Sequence, residues 1–128
     1  MRYYPLDGLE IVKHAVRALD HKKARDIAAI QITAVTVIAD YFVLATATSS
    51  THVRALADAV EEALSIAGAE PDHIEGRATG WILLDYGDAV IHVMDAAARE
   101  FYGLERTWND GERLDIDAML DGQESESV

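Results

Sequence analysis

The stretch that decides the fold is GWILLDYGDAVIHVMD, from Gly80 to Asp95. It contains two apolar segments, Trp81 to about Tyr86 and Ala89 to Met94, separated by a short sequence around Gly87. Apolar and β-branched residues that are interrupted by glycine and aspartate are typical of two strands joined by a tight turn. The stretch therefore predicts a β-hairpin.

Two registers are open for this hairpin. If the turn centres on Tyr86 and Gly87, Trp81 lies opposite His92; if the turn lies one residue later, Trp81 lies opposite Met94. Side chains alternate along a strand, so both registers give the same two faces. One face carries Trp81, Leu83, Asp85, Val90, His92 and Met94. The other carries Ile82, Leu84, Ile91 and Val93.

The acidic residues at the turn, Asp85 and Asp88, allow three interpretations. They serve the turn of an internal hairpin, because aspartate suits tight turns. Alternatively, together with Trp81 and Tyr86 they form a docking surface for a basic protein, since aromatic residues are enriched at binding hot spots. Finally, paired carboxylates hold Mg²⁺ in some enzymes. The residues of the hairpin alone leave all three open.

The charge balance restricts the possible partners. The chain of 128 residues has 23 acidic and 11 basic residues, which gives a formal net charge of −12. This charge disfavours binding to DNA or RNA, where Lys and Arg must neutralise phosphates. A basic protein partner remains compatible with it, because complementary charge accelerates encounter.

The composition also restricts the chemistry and the location. The chain has no cysteine, which excludes disulfides, thiolate catalysis and cysteine-ligated zinc. No segment approaches the ~20 apolar residues of a membrane span, so we expect a cytoplasmic protein without membrane contact.

Two long helices are indicated outside the hairpin. Asp7 with Glu10 forms a capping box for the first helix. A second helix is capped by Ser49, Ser50 or Thr51 and ends near Gly68. Apolar residues at helical spacing predict one buried stripe on each helix. The stripes consist of Leu9, Val12, Val16 and Leu19 in the first helix and of Val53, Leu56, Val60 and Leu64 in the second.

The remaining segments complete the predicted order. DIAAIQI and ADYFVLATA, which ends at Ala47, predict two strands, residues 69–80 a loop or weak strand, and Asp95 the cap of a short helix interrupted at Gly103. The order helix, strand, strand, helix, strand, strand, helix predicts an α+β fold with a mixed β-sheet flanked by helices. We expect one domain over 1–116 and an acidic, disordered tail over 117–128.

No other motif indicates catalysis or a metal. The chain has no phosphate-binding glycine loop, and its five histidines lack a metal-ligand spacing. We therefore predict no catalytic residue, metal or cofactor. In AREFYGLERTW, we expect Phe101 to pack on the sheet, whereas Tyr102 and Glu105 share a helical side and are candidates to extend a docking face.

A series of motifs in this order resembles the Iojap-type ribosomal silencing factors. The motifs are ADYFVLAT, a helix with SS-x-HV-x-ALAD, EG at Glu75 and Gly76, GWILLDYGDAVIHVM, and REFYGLERTW. The resemblance covers roughly Leu9 to Trp108. This chain has Ala47 where many members of the family have glycine.

The resemblance implies a function and a partner. Members of the family bind the large ribosomal subunit through large-subunit ribosomal protein fourteen and sterically prevent the small subunit from joining. They form homodimers, have a fold akin to that of nucleotidyltransferases, and have no attributed enzymatic activity. An alternative, which rests on Asp85 and Asp88 as metal ligands, is a metal-dependent nucleotidyltransferase-like enzyme; the fold relation alone says nothing about chemistry.

The resemblance also implies the partner-binding residues. Those on the hairpin are Trp81, Leu83, Asp85, Tyr86, Gly87 and Asp88, and those in the following segment are Arg99, Tyr102 and Glu105.

Overall fold

The computed structural model describes residues 6–32, 40–76, 80–103 and 112–120. Its elements are helix α1 (Gly8–His21), strands β1 (Arg25–Gln31) and β2 (Tyr41–Ala47), helix α2 (Ser50–Ala67), strands β3 (His73–Glu75), β4 (Trp81–Asp85) and β5 (Ala89–Asp95), helix α3 (Ala96–Tyr102) and strand β6 (Glu112–Arg113). The predicted order of elements is confirmed: the weak strand considered within residues 69–80 is present as β3, and the short strand β6 is added.

The strands form one mixed sheet in the order β3-β4-β5-β2-β1-β6. The central strands β2 and β5 are parallel, and the other neighbouring pairs are antiparallel. Parallel neighbours require a crossover connection, and α2 lies in the chain segment between β2 and β5. The predicted α+β fold with a mixed sheet flanked by helices is therefore confirmed.

The long helices begin and end at the predicted residues. Asp7 and Glu10 form both hydrogen bonds of a capping box, and the Ser49 side chain accepts from the backbone N–H of His52. Gly68 ends α2 in the left-handed region, with φ of 106°, which glycine adopts without strain. The predicted stripes face the sheet, and all their members are buried except Leu9, which is partly buried.

The sheet has an apolar cluster on each face. Beneath α1 and α2 lies the helix-side core, which includes Ile82, Leu84, Ile91 and Val93 of the hairpin. On the opposite face lies a second apolar cluster, formed by Ala28, Ile30, Ile32, Phe42, Leu44, Val90 and Met94, with Trp81, Leu83 and Ala98 packed against it. Strand β2 is central and contributes to both clusters, which explains why its apolar residues are nearly continuous.

The packed domain continues beyond residue 116, where we expected the tail to begin. Residues 116–120 form a helical turn, and Met119 is buried against the helix-side core. Residues 121–128 lie outside the described part of the chain, so a disordered tail remains a prediction there. The predicted continuation of α3 beyond Gly103, including Glu105, also lies outside it.

Candidate protein-docking site

The β4–β5 hairpin adopts the second of the two open registers. Trp81 lies opposite Met94, Leu83 opposite His92, and Asp85 opposite Val90. Asp85 therefore does not face Asp88, as it does in the first register.

The turn of the hairpin uses one of its two aspartates. The Asp85 side chain accepts a hydrogen bond of 2.8 Å from the backbone N–H of Gly87, which has a φ of 84°. The side chain of Asp88 is exposed, and its backbone carbonyl accepts from the N–H groups of Asp40 and Tyr41. The turn interpretation thus accounts for the position of Asp85 and leaves the Asp88 carboxylate facing water.

The indole of Trp81 is held by a buried histidine. Its Nε1–H donates a hydrogen bond of 3.1 Å to Nδ1 of His92, and the two ring centroids lie 5.7 Å apart. His92 is 3% exposed and stacks on Phe42, with a centroid distance of 5.6 Å. Burial lowers the pKa of His92 from its ordinary 6.5 to about 4. At neutral pH the ring is therefore uncharged, and Nδ1 keeps the lone pair that receives the indole N–H.

The edge strand β3 adds charged residues beside Trp81. His73 pairs with Asp85 and Glu75 pairs with Leu83, so all four side chains lie on the face opposite α1 and α2. The His73 ring lies 2.9 Å from the carboxylate of Glu75 and 3.6 Å from that of Asp85. All three side chains are at least partly exposed, so these contacts set the local charge more than they stabilise the fold.

A cleft of about 420 Å³ opens between β4 and α3, next to the indole. Its lining combines apolar, acidic and glycine residues, namely Trp81, Leu83, Ala98, Glu75, Asp95, Gly76 and Gly80. We call the surface formed by Trp81, Leu83, Glu75 and Asp85 together with this cleft the Trp81 face. It presents an aromatic and apolar centre bordered by carboxylates, which is the composition of a docking site for a basic protein surface.

The structure brings together most of the hairpin residues that we predicted to bind a partner. Trp81, Leu83 and Asp85 lie side by side on the Trp81 face, and the adjoining turn carries Gly87 and Asp88.

Tyr86, which we also predicted to bind a partner, is buried on the helix side of the sheet. It is 8% exposed and belongs to the helix-side core, because the alternation of side chains turns it away from Asp85. Burial, with Glu61 and Glu70 nearby, raises the pKa of its phenol above the usual range. Its hydroxyl has no hydrogen-bond partner within the described ranges. We therefore leave Tyr86 out of the proposed contact surface.

Helix α3 also differs from the prediction. Arg99 donates to the Thr46 hydroxyl at 2.9 Å and to the backbone carbonyl of Asp26, so it ties α3 to β2 and β1. The expectation that Phe101 packs on the sheet is wrong, because its side chain is 79% exposed. Small Ala98 makes the contact instead, and the run of alanines before Arg99 was the available signal. Tyr102 ends the helix, and its side chain is outside the described part.

The described segments also bear on the alternative chemistry. Within them, no group of three or more His, Asp or Glu side chains is arranged to hold a metal ion. No helix in the same segments has the length and apolar character needed to cross a membrane.

The fold and the Trp81 face define a small α+β domain that carries an acid-bordered aromatic surface on the side remote from its two long helices. A family model described as "Ribosomal silencing factor during starvation" matches residues 5–127. The chain belongs to this family of ribosomal silencing factors, and the resemblance stated from the motifs is confirmed.

Relatives and a solved structure agree with this assignment. The "Ribosomal silencing factor RsfS" of Halalkalibacterium halodurans is 31% identical over 116 residues, covering 90% of this chain and 99% of that protein. The "Protein Iojap-related, mitochondrial" of Arabidopsis thaliana is 33% identical over 76 residues, covering 56% of this chain and 41% of that protein. A crystal structure of a Chromobacterium violaceum protein matches with a TM-score of 0.78 and 35% identity, covering 81% of this chain and 88% of that one.

Proposed function

We propose that this protein binds the large ribosomal subunit through large-subunit ribosomal protein fourteen and thereby sterically blocks joining of the small subunit. Translation is repressed as a result. The proposed place of action is the cytoplasm, and the proposed state of the free protein is a homodimer, which light scattering of the purified protein tests. The proposal assigns the protein no catalytic step and no cofactor.

The observation that carries the proposal is the Trp81 face in a member of a silencing-factor family. The indole is partly buried, and its N–H is already bonded to His92, so the ring reaches a partner in a fixed orientation. A preorganised aromatic side chain loses little conformational entropy on binding. The carboxylates of Glu75 and Asp85 lie on the same face, and a basic ribosomal protein supplies the complementary charge.

The enzyme alternative loses its geometric basis. Asp85 and Asp88 are not opposite each other, and one oxygen of Asp85 is already bonded to the Gly87 N–H. Docking uses the same carboxylates as surface charges and requires no such pairing.

The test is co-sedimentation of the purified protein with isolated large subunits, followed by a subunit-joining assay. Trp81→Ala should weaken binding by ~2 kcal/mol or more, because truncating a central aromatic anchor has an effect of that size. The same variant should restore joining at protein concentrations where the wild type blocks it.

Ile66→Ala is the matched control. Ile66 is 81% exposed on α2, on the opposite side of the sheet from Trp81, so its truncation should leave binding unchanged. Circular dichroism melting of both variants separates lost binding from lost folding. A folded Trp81→Ala variant that binds large subunits like the wild type would exclude Trp81 as the anchor.

A further inference from the structure

Phe101 is a large aromatic side chain on α3, the helix whose Ala98 lines the cleft. In the described ranges, the large hydrophobic side chains that stand out in solvent are Phe101, 79% exposed, and Ile66, 81% exposed. Exposing a phenylalanine this far forgoes most of the free energy that burial of its ring would contribute, so such a residue is a candidate for contact with another molecule.

Helix geometry relates Phe101 to Ala98, which lies three residues earlier in α3. Ala98 lines the cleft and packs against the second apolar cluster. Residues three apart in a helix share a side, so Phe101 extends from the Ala98 side of α3.

Arg99 fixes the other side of the same helix. It reaches Thr46 of β2 and Asp26 of β1, whereas β4 lies on the far side of β5 from these strands. Residues two apart in a helix point about 160° away from each other. Phe101 therefore extends away from β2 and towards the β4 side, where Trp81 lies.

The charges around the cleft indicate what it accepts. Glu75 and Asp95 form part of its wall, and His73 lies between the carboxylates of Glu75 and Asp85. A long side chain with an apolar stem and a cationic head matches aromatic rings bordered by carboxylates.

We propose that Phe101 of α3 is a second aromatic anchor that extends the Trp81 face, and that its ring and that of Trp81 together hold a segment of a basic protein. The identification of that protein as a ribosomal one rests on the proposed function above. The docking surface then spans two elements, β4 and α3, rather than the hairpin alone.

The first experiment compares Phe101→Ala with Ile66→Ala in binding to isolated large subunits. Both remove an exposed apolar side chain from a helix, so neither should alter the melting temperature much. We expect Phe101→Ala to lower the affinity about tenfold or more and Ile66→Ala to leave it unchanged.

The outcomes distinguish this proposal from the proposed function. If Trp81→Ala weakens binding and Phe101→Ala does not, Phe101 is no anchor while the proposed function stands. If neither variant weakens binding, Phe101 is no anchor and the subunit is bound by another surface; the proposed function itself fails only if the wild type does not co-sediment with large subunits. If Phe101→Ala instead abolishes self-association and leaves subunit binding intact, a second copy of this chain occupies the surface and the proposal is overturned.

The second experiment tests the basic character of the bound segment. Glu75→Gln should weaken subunit binding and reduce its dependence on salt concentration. Glu62→Gln is the control, because Glu62 is an exposed acid on α2, on the opposite side of the sheet. Equal effects of the two substitutions would mean that only net charge matters and would contradict a basic segment held at this cleft.

Discussion

At the scale of the residue, His92 is the side chain on which the orientation of Trp81 depends. Its place on the same strand face as Trp81 follows from alternation alone and was predicted in both registers. The hydrogen bond between them was not predicted, because it depends on the register and on the position of Phe42 in another strand. The local sequence pattern predicts on which face of the strand His92 lies, whereas its hydrogen bond with Trp81 depends on how the strands pair in the folded sheet.

Burial of His92 predicts a pH-dependent stability. Its pKa is about 4 in the folded protein and about 6.5 in the unfolded chain, so between these values only the unfolded chain binds the proton. The free energy of unfolding should therefore fall as the pH is lowered from 6.5 towards 4, by up to about 3 kcal/mol from this residue. Above pH 6.5 both states are neutral, and the contribution does not change.

Urea denaturation of the wild type and of His92→Leu at pH 7.5, 5.5 and 4.5 measures this effect. The variant loses the titrating ring, so its stability should depend less on pH over this window, whatever its absolute stability. The carboxylates titrate in both proteins and cancel in the comparison. Parallel pH profiles would show that His92 is not the residue responsible.

At the scale of the element, Asp95 joins the end of β5 to the start of α3. Its backbone N–H donates to the Gly80 carbonyl at 2.9 Å, and its carboxylate accepts from the Ala98 N–H at 2.8 Å. A side chain at position 80 would overlap the Asp95 carboxylate. Glycine at this position therefore lets β4 approach the cap of α3, and one wall of the cleft depends on it.

Gly80→Ala should destabilise the protein by about 1–3 kcal/mol, because an added methyl group must displace the capping carboxylate. Subunit binding should weaken as well, since α3 and the cleft shift together. Thermal melting and co-sedimentation measure the two effects. The double variant Gly80→Ala, Asp95→Ser is the control: serine is smaller and caps helices well, so it should recover part of the stability. If the double variant is no more stable than Gly80→Ala, the overlap with the Asp95 carboxylate is not the cause of the destabilisation.

The elements that could be predicted are those with local signals. The caps of α1 and α2 and their buried stripes depend on residues a few positions apart, and the structure has them as expected. Strand β6 has two residues and exists through its pairing with Ile30 and Gln31 of β1, a contact about eighty residues away in the chain that carries no local signal. The exposure of Phe101 also depends on how α3 lies on the sheet.

At the scale of the whole molecule, the net charge of −12 should accelerate encounter with a basic partner. Asp88→Lys should lower the association rate and its dependence on salt, because Asp88 is exposed in the turn that directly follows Asp85 of the Trp81 face. Stopped-flow binding at several salt concentrations measures both quantities.

Asp20→Lys provides the matched control for this prediction. It makes the same change in net charge, but Asp20 lies at the far end of α1, about 18 Å along the helix from Gly8, which lies near Asp88. If the two variants slow association equally, the charge acts through the molecule as a whole and not through the Trp81 face.

The class of fold followed from the pattern of elements. The net charge disfavoured nucleic acid as a partner but did not select among protein partners. The family followed from the series of motifs, since no single physical property of the chain names a ribosome. Alternation placed Trp81, Leu83 and Asp85 on one strand face, and the structure has them there, while their role in binding stays a prediction. Tyr86 is buried on the other face, because recognition by motif does not say which way a side chain points.

The outermost strand on the Trp81 side, β3, is only three residues long, and its His73 and Glu75 are exposed. A border this short and charged offers little unpaired backbone for a neighbouring copy to extend the sheet. At high protein concentration, we therefore expect little edge-to-edge aggregation through β3.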